Sequence, residues 1–163
     1  ETILLNLASP VNVALANVQA VGSIVNDDPK PDQPDLLIRK ATEPDSSFAI
    51  NNVYQTTPSG DQIETQVVPA KIKATYAIRV QNNGSSTRTF LLKAAESSGV
   101  GWTVVYKSGG TVITSAIKGT GTTISSLAPG AAAVITVEMT PGGIVAENAS
   151  KNATIRAYLG GSD

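Results

Sequence analysis

Two pairs of carboxylates lie close enough together in the sequence to suggest acid–base chemistry. Asp61 is followed by Glu64, and Glu43 by Asp45. Two carboxyl groups can cleave a glycosidic bond when an apolar pocket raises the pKa of one of them, so that it donates a proton. Both pairs lie among Pro, Ser, Gly and Thr residues, which are typical of solvated loops. We therefore interpret all four as loop charges.

Other catalytic groups are missing from the composition. The chain of 163 residues has no Cys and no His, which excludes thiolate zinc sites, Cys nucleophiles, imidazole bases and the Ser-His-Asp arrangement. We predict no catalytic residues, and an enzymatic function has the least support of any class. The net charge of -1 and the scattered basic residues argue against nucleic acid as a partner. No apolar run reaches the roughly 18–20 residues that span a bilayer, so we expect no membrane insertion.

A polar cluster near the N-terminus contains the only candidate metal ligands. Its members are Asn26, Asp27, Asp28 and Asp32. A hard cation such as Ca²⁺ takes about six to eight oxygen ligands from loops of this kind. Because four side chains are too few, we prefer the simpler interpretation of a solvated linker and keep Ca²⁺ as the one candidate cofactor. Ligands from another chain would strengthen the calcium hypothesis.

The aromatic residues have two interpretations, a sugar-stacking platform or a core. Four of them fall on the apolar faces of predicted strands: Tyr76, Phe90, Trp102 and Tyr106. A large ring on such a face stabilises the fold by a few kcal/mol when it is buried (roughly 1.5–3 for Phe). We therefore predict that these four belong to the core, which leaves Tyr54 and Tyr158 as the exposed aromatic residues.

The elements that must position these side chains are β-strands. Hydrophobic residues make up 41% of the chain and charged residues 15%, and Val, Ile and Thr dominate over good helix formers. Alternation of apolar and polar residues predicts strands at 72–80, 88–93, 102–106, 111–114, 122–127, 133–140 and 153–159. Polar or Gly-rich turns at 82–86 and 107–110 predict two hairpins. With no helix expected, the pattern predicts two antiparallel sheets packed face to face as a β-sandwich.

The N-terminal residues are organised differently. Strands are predicted at 2–7 and 21–26, and a stiff Pro-rich linker covers 29–34. We therefore divide the chain into a two-strand extension at 1–28, this linker, and a β-sandwich at 35–163. Two strands alone are marginal in water, so the extension must dock on either the main domain or another chain. If Glu1 starts the subunit, the candidate assembly strand is Thr2, Ile3, Leu4, Leu5, Asn6 and Leu7. If Glu1 is a fragment boundary, the extension is the remnant of a preceding domain.

Two resemblances to known families add to this prediction. The segments 5–10 and 22–28 are similar to the C-terminal end of a Calx-beta domain, which closes on such a strand and acidic tail. Residues 35–159 resemble a repeated immunoglobulin-like module of large bacterial secreted and surface proteins. The segments that carry the second resemblance are 52–54, 76–84, 101–106, 113–117 and 127–130. It implies an all-β, immunoglobulin-like antiparallel sandwich in an exported, multidomain protein. Calx-beta domains can bind calcium with acids in the region of Asp27 and Asp28.

The predicted function is therefore structural. We expect a non-enzymatic structural or adhesive module at the cell surface or outside the cell, with neighbouring domains or identical subunits as partners. A sharper version is a homopolymeric fibre in which the strand at 2–7 adds to the open sheet of a neighbouring subunit. The alternative is a calcium- or carbohydrate-binding accessory module of a secreted multidomain protein. A Ca²⁺ titration and a glycan panel separate the two, because a spacer gives no saturable response.

Overall fold

The structure is a computed structural model that describes residues 2–6, 19–23, 33–48, 54 and 57–160. Nearly every regular element in these ranges is a β-strand. The strands are β1 Thr2–Asn6, β2 Gln19–Ser23, β3 Pro34–Lys40, β4 Ala74–Asn82, β5 Arg88–Glu96, β6 Trp102–Ser108, β7 Thr111–Val112, β8 Thr122–Leu127, β9 Ala132–Pro141 and β10 Ala153–Leu159. One short helix, α1 Thr114–Lys118, and two single-turn 3-10 helices, Asp45–Ser47 and Gly60–Gln62, complete the set.

Two antiparallel sheets form the sandwich, which confirms the predicted all-β fold. One sheet has five strands in the order β3-β4-β9-β6-β7, and the other has three in the order β10-β5-β8. The third sheet is the N-terminal hairpin of β1 and β2, which pair with each other from Thr2 opposite Ser23 to Asn6 opposite Gln19. Leu7 and the linker up to Asp32 lie outside the described residues.

The strand order is that of an immunoglobulin-like sandwich with one position unoccupied by any described strand. In that fold, strands A, B, E and D form one sheet, and C, F and G form the other. If β3, β4, β5, β6, β9 and β10 are strands A to F, the five-stranded sheet has the order A-B-E-D, and F pairs with C in the other sheet. The added strand β8 lies on the far side of β5. Among the described strands, none lies beyond β10, where strand G belongs.

The core lies between the two sheets, where the alternation of each strand places its apolar residues. Tyr76, Ile78 and Val80 on β4 face inward together with Ile135, Val137 and Met139 on β9, as predicted. From the opposite sheet, the core receives the side chains of Phe90, Leu92 and Ile124, all of which are buried.

The structure overturns the predicted hairpin at 82–86. Strands β4 and β5 do not pair with each other, since they belong to different sheets, and the segment between them crosses the sandwich. Ile72 was expected on the inner face but precedes β4 and is 54% exposed. The expectation of no helix was also wrong, because α1 follows β7 and buries Ile117.

The second predicted hairpin is confirmed. Ser108 on β6 pairs with Thr111 on β7, so that Gly109 and Gly110 form a two-residue turn. Their φ angles are +53° and +85°, as a type I′ turn requires at both central positions. Glycine occupies this conformation at no steric cost, which explains why this sequence folds back here.

Candidate functional site

The acid pair of Glu43 and Asp45 is held by salt bridges to the last two residues of β3. Asp45 lies 2.6 Å from the Arg39 guanidinium, and Glu43 lies 3.3 Å from the Lys40 ammonium. The backbone N–H of Lys40 donates to Glu43, and this bond, with the hydrogen bond and charge of the Lys40 side chain, outweighs desolvation and lowers the pKa of that carboxyl. A general acid needs the opposite shift.

The second acid pair is not assembled into a catalytic site either. Asp61 lies in a 3-10 turn with no buried residue. Glu64 lies 3.5 Å from Lys40, the lysine that also binds Glu43. Lys40 therefore binds one member of each acid pair, as expected of structural loop charges, and Glu64 is positioned beside β3.

The aromatic residues are largely core, as predicted. Tyr106 and Phe90 are fully buried, and Tyr76 is 8% exposed, so none of the three can stack on a sugar at the surface. Burial, with the nearby Glu96 carboxylate, raises the pKa of the Tyr106 phenol. Trp102 is only half-buried at the start of β6. Tyr54 and Tyr158, expected at the surface, are half-buried as well.

The calcium candidates Asn26, Asp27, Asp28 and Asp32 lie outside the described residues. Within the described part of the chain, no group of three or more acidic side chains is placed to hold a metal ion. No helix in that same part is long and apolar enough to cross a bilayer.

The feature that stands out is an open side of the sandwich, between the edge strands β3 and β10. Leu36 and Ile38 on β3 pack against the core but remain half-buried. The same is true of Ala153, Ile155 and Ala157 on β10. Inward-facing residues in the middle of a sandwich are normally covered on both sides, so these five expose apolar surface because no described strand closes this side.

A long groove runs along this open side. Its floor is formed by Tyr76 and Ile78 of β4 and by Val137 and Met139 of β9. One wall is the whole of β10, and the other is β3 with the loop at 57–65, where Ile63 is 55% exposed. The groove has a volume of about 1210 Å³, above the roughly 300–1,000 Å³ of a small-molecule pocket. Because it follows all seven residues of β10, the groove is long enough for an extended chain.

The backbone of β10 offers hydrogen bonds to such a chain. Gly160 donates its N–H to Thr89, and Ser97 donates to Asn152, at the two ends of the pairing with β5. In an antiparallel pair, every second residue exchanges bonds with the partner strand. Thr154, Arg156 and Tyr158 therefore bond to β5, and the N–H and C=O groups of Ala153, Ile155 and Ala157 face outward. The residues whose side chains line the groove also present their backbone to it.

An ion cluster marks the end of the groove at which β10 begins. The Glu96 carboxylate lies 2.9 Å from Lys118 and 3.4 Å from Lys151, whose side chain is 7% exposed. Burial of Glu96 raises its pKa, but the hydrogen bonds and charges of the two lysines outweigh that effect and hold the pKa below its usual value. The cluster ties α1 and the segment before β10 to the end of β5.

We expect the Glu96 cluster to make stability depend on pH. Because the pKa of Glu96 is lower in the folded state than in the unfolded state, ionised Glu96 adds to the free energy of unfolding. This stabilisation is complete above the unfolded pKa, near 4.3, and is lost as the pH falls through the folded pKa. In urea titrations, Glu96→Gln should therefore be less stable than the wild type at pH 7, and the difference should shrink by pH 3. A difference that stays constant between these pH values would contradict this assignment.

Comparisons of the chain with protein-family models, with curated proteins and with solved structures found no match. The function must therefore be argued from the topology and the open side. The residues that form the groove were not among the predicted site residues, although the alternation of β10 had placed Ala153, Ile155 and Ala157 on one face. The missing information was which strands pair, and the local pattern of a sequence does not contain it.

Proposed function

We propose that this chain is a non-enzymatic structural or adhesive module of an extracellular bacterial protein, and that it docks on its neighbours by strand addition. The observation that carries the proposal is the open side between β3 and β10. Half-buried apolar side chains face the groove there, and so do the backbone groups of Ala153, Ile155 and Ala157, which have no hydrogen-bond partner among the described strands. In strand addition, main-chain hydrogen bonds supply affinity and pockets for alternate side chains supply specificity. This groove offers both.

The surface location follows from a resemblance and from the exposed edge of the sandwich. Residues 35–159 resemble the repeated immunoglobulin-like modules of large bacterial secreted and surface proteins, and the described strands form an all-β sandwich. An exposed edge with apolar flanks is a hazard in an isolated domain, because it invites aggregation. It is useful in a protein whose role is to join domains or subunits, and this favours a structural function.

A proline on the groove side of β10 tests strand addition. Ala157→Pro removes an outward N–H while leaving the bonds from Arg156 and Tyr158 to β5 intact, and edge strands tolerate proline at such positions. The probe is a panel of labelled eight-residue peptides that alternate Val or Ile with Thr and end in two lysines. We expect saturable binding to the wild type by fluorescence anisotropy, and at least ~10-fold weaker binding to Ala157→Pro.

The matched control is Ala157→Ser, which keeps the N–H and should bind as the wild type does. Urea unfolding of both variants confirms that the sandwich is intact. If no peptide of the panel binds the wild type, or if Ala157→Pro binds as tightly as Ala157→Ser, the open side of the sandwich is not an acceptor and the proposed function is wrong.

A further inference from the structure

We infer that the occupant of the groove is the N-terminal strand of a second copy of this chain, so that β1 of one subunit pairs with β10 of the next. This inference rests on the proposed function and names its partner. It follows from the dimensions of the two strands, from the alternation of residues 2–7, and from the separate pairing of the N-terminal hairpin.

The two strands match in length. β10 has seven residues, which extend about 23 Å at 3.3 Å per residue. The segment at 2–7 is about 20 Å long by the same rule, and the structure places its first five residues in a strand. The donor is therefore long enough to cover the half-buried face from Ala153 to Ala157.

The side-chain pattern of the donor also matches the groove. In a strand, alternate residues share one face, so Ile3 and Leu5 of β1 share one, and the sequence continues this apolar pattern at Leu7. The intervening positions are Thr2, Leu4 and Asn6, of which two are polar. The acceptor alternates in the same way, since the groove-lining side chains of β10 are Ala153, Ile155 and Ala157.

The N-terminal hairpin gains stability when a further strand pairs with it. Its two strands pair only with each other among the described strands, and an isolated two-stranded hairpin is marginally stable in water. A second copy of the chain can supply such a hairpin to the groove.

The arrangement predicts assembly that grows from copy to copy. The donor strand and the acceptor groove are different surfaces of the same chain, so the contact is heterologous. Contacts of this kind build open chains, or closed rings where the rotation permits. Pro34 at the start of β3 lies opposite Asn82, and Leu159 at the end of β10 lies opposite Phe90. The chain therefore enters the sandwich at the end where β10 finishes.

Two variants that each lack one half of the contact test the inference. Leu5→Asp places a charge on the groove face of the donor, and Ala157→Pro blocks the acceptor. We expect the wild type to form dimers or longer assemblies, and each variant alone to be at least ~10-fold less associated. Mixed together, the two variants should form a one-to-one complex, because one supplies the donor and the other the acceptor. Native mass spectrometry with isotope labelling identifies the complex.

Leu4→Asp is the matched control, because it adds the same charge to the opposite face of the strand and should still assemble. The inference is overturned if the wild type stays monomeric, if the mixture of variants gives no complex, or if Leu4→Asp and Leu5→Asp behave alike. A negative result in this assembly experiment does not change the outcome expected of the peptide-binding experiment. If the alternating peptides bind the groove and the mixture gives no complex, strand addition holds and the second copy is not the partner.

Discussion

Replacing Leu92 with alanine is expected to lower the free energy of unfolding by about 2–5 kcal/mol, measured by urea denaturation. Leu92 lies in the central strand of the three-stranded sheet and is 0% exposed. Truncation of such a residue loses the transfer free energy of its methyl groups and leaves a cavity that the surrounding strands cannot fill. A cost below about 1 kcal/mol would contradict its position in the core.

The matched control is Ile155→Ala on the neighbouring strand, which loses a similar aliphatic side chain. Ile155 faces the same core but is half-buried, because one side of it lines the groove. We expect it to cost less than half as much as Leu92→Ala in the free protein, and more when a peptide fills the groove. Equal costs for the two variants in the free protein would indicate that the groove is closed in solution.

Asn82→Ala is expected to destabilise the sandwich by roughly 3 kcal/mol, at about 1–3 kcal/mol for each buried partner left unsatisfied. Asn82 is 0% exposed at the end of β4. Its side-chain amide donates to the carbonyls of Ser86 at 2.8 Å and Leu127 at 2.7 Å, and its oxygen accepts from the N–H of Gly84 at 3.0 Å. The residue thus joins the crossing segment to the end of β8 in the other sheet.

Asn82→Asp separates the role of the side-chain oxygen, which accepts from Gly84, from that of the side-chain nitrogen, which donates to Ser86 and Leu127. The carboxylate keeps the acceptor for Gly84 but points an oxygen at the two carbonyls, so we expect it to cost at least as much as Asn82→Ala at pH 7. A loss of under about 0.5 kcal/mol in either variant, within the range of ordinary surface substitutions, would show that Asn82 does not join the sheets.

The strands themselves could be predicted from the sequence because their faces differ in polarity. Ile135, Val137 and Met139 alternate with polar residues, and all three are buried on β9. Only a sheet with one covered face selects for such alternation. The same signal predicted β10, whose apolar residues occur at every second position. The hairpin of β6 and β7 was predicted from a different signal, the two glycines that close it.

The pairing of the strands was not predictable from the same signal. The polar segment after Val80 has turn composition, and it was interpreted as a hairpin. Asn82 instead joins the two sheets through its side-chain amide. An asparagine has the same side chain in a hairpin turn and in a contact between sheets, so only the position of Leu127 distinguishes the two structures. The one-turn helix α1 was missed for a related reason, since its residues Thr114–Lys118 have weak helix propensity and tertiary packing of Ile117 decides their conformation.

The open side of the sandwich is a property of topology and not of any motif. Ala153 and Ile155 look like ordinary inward-facing residues, and only the strand order shows that no described strand covers them. The low stability of the N-terminal strands by themselves could be predicted from the sequence alone, because two strands are too few. The open side between β3 and β10 became visible only with the structure.

Hydrogen exchange along β10 tests the central claim most directly. In the free protein, the amides of Ile155 and Ala157 should exchange rapidly, and those of Arg156 and Tyr158, which bond to β5, should be protected. A saturating amount of an alternating Val-Thr peptide should slow exchange at Ile155 and Ala157 by more than ~10-fold and leave the strand β8 unchanged. Protection at Ile155 and Ala157 without any peptide, or no change when the peptide is added, would contradict the account.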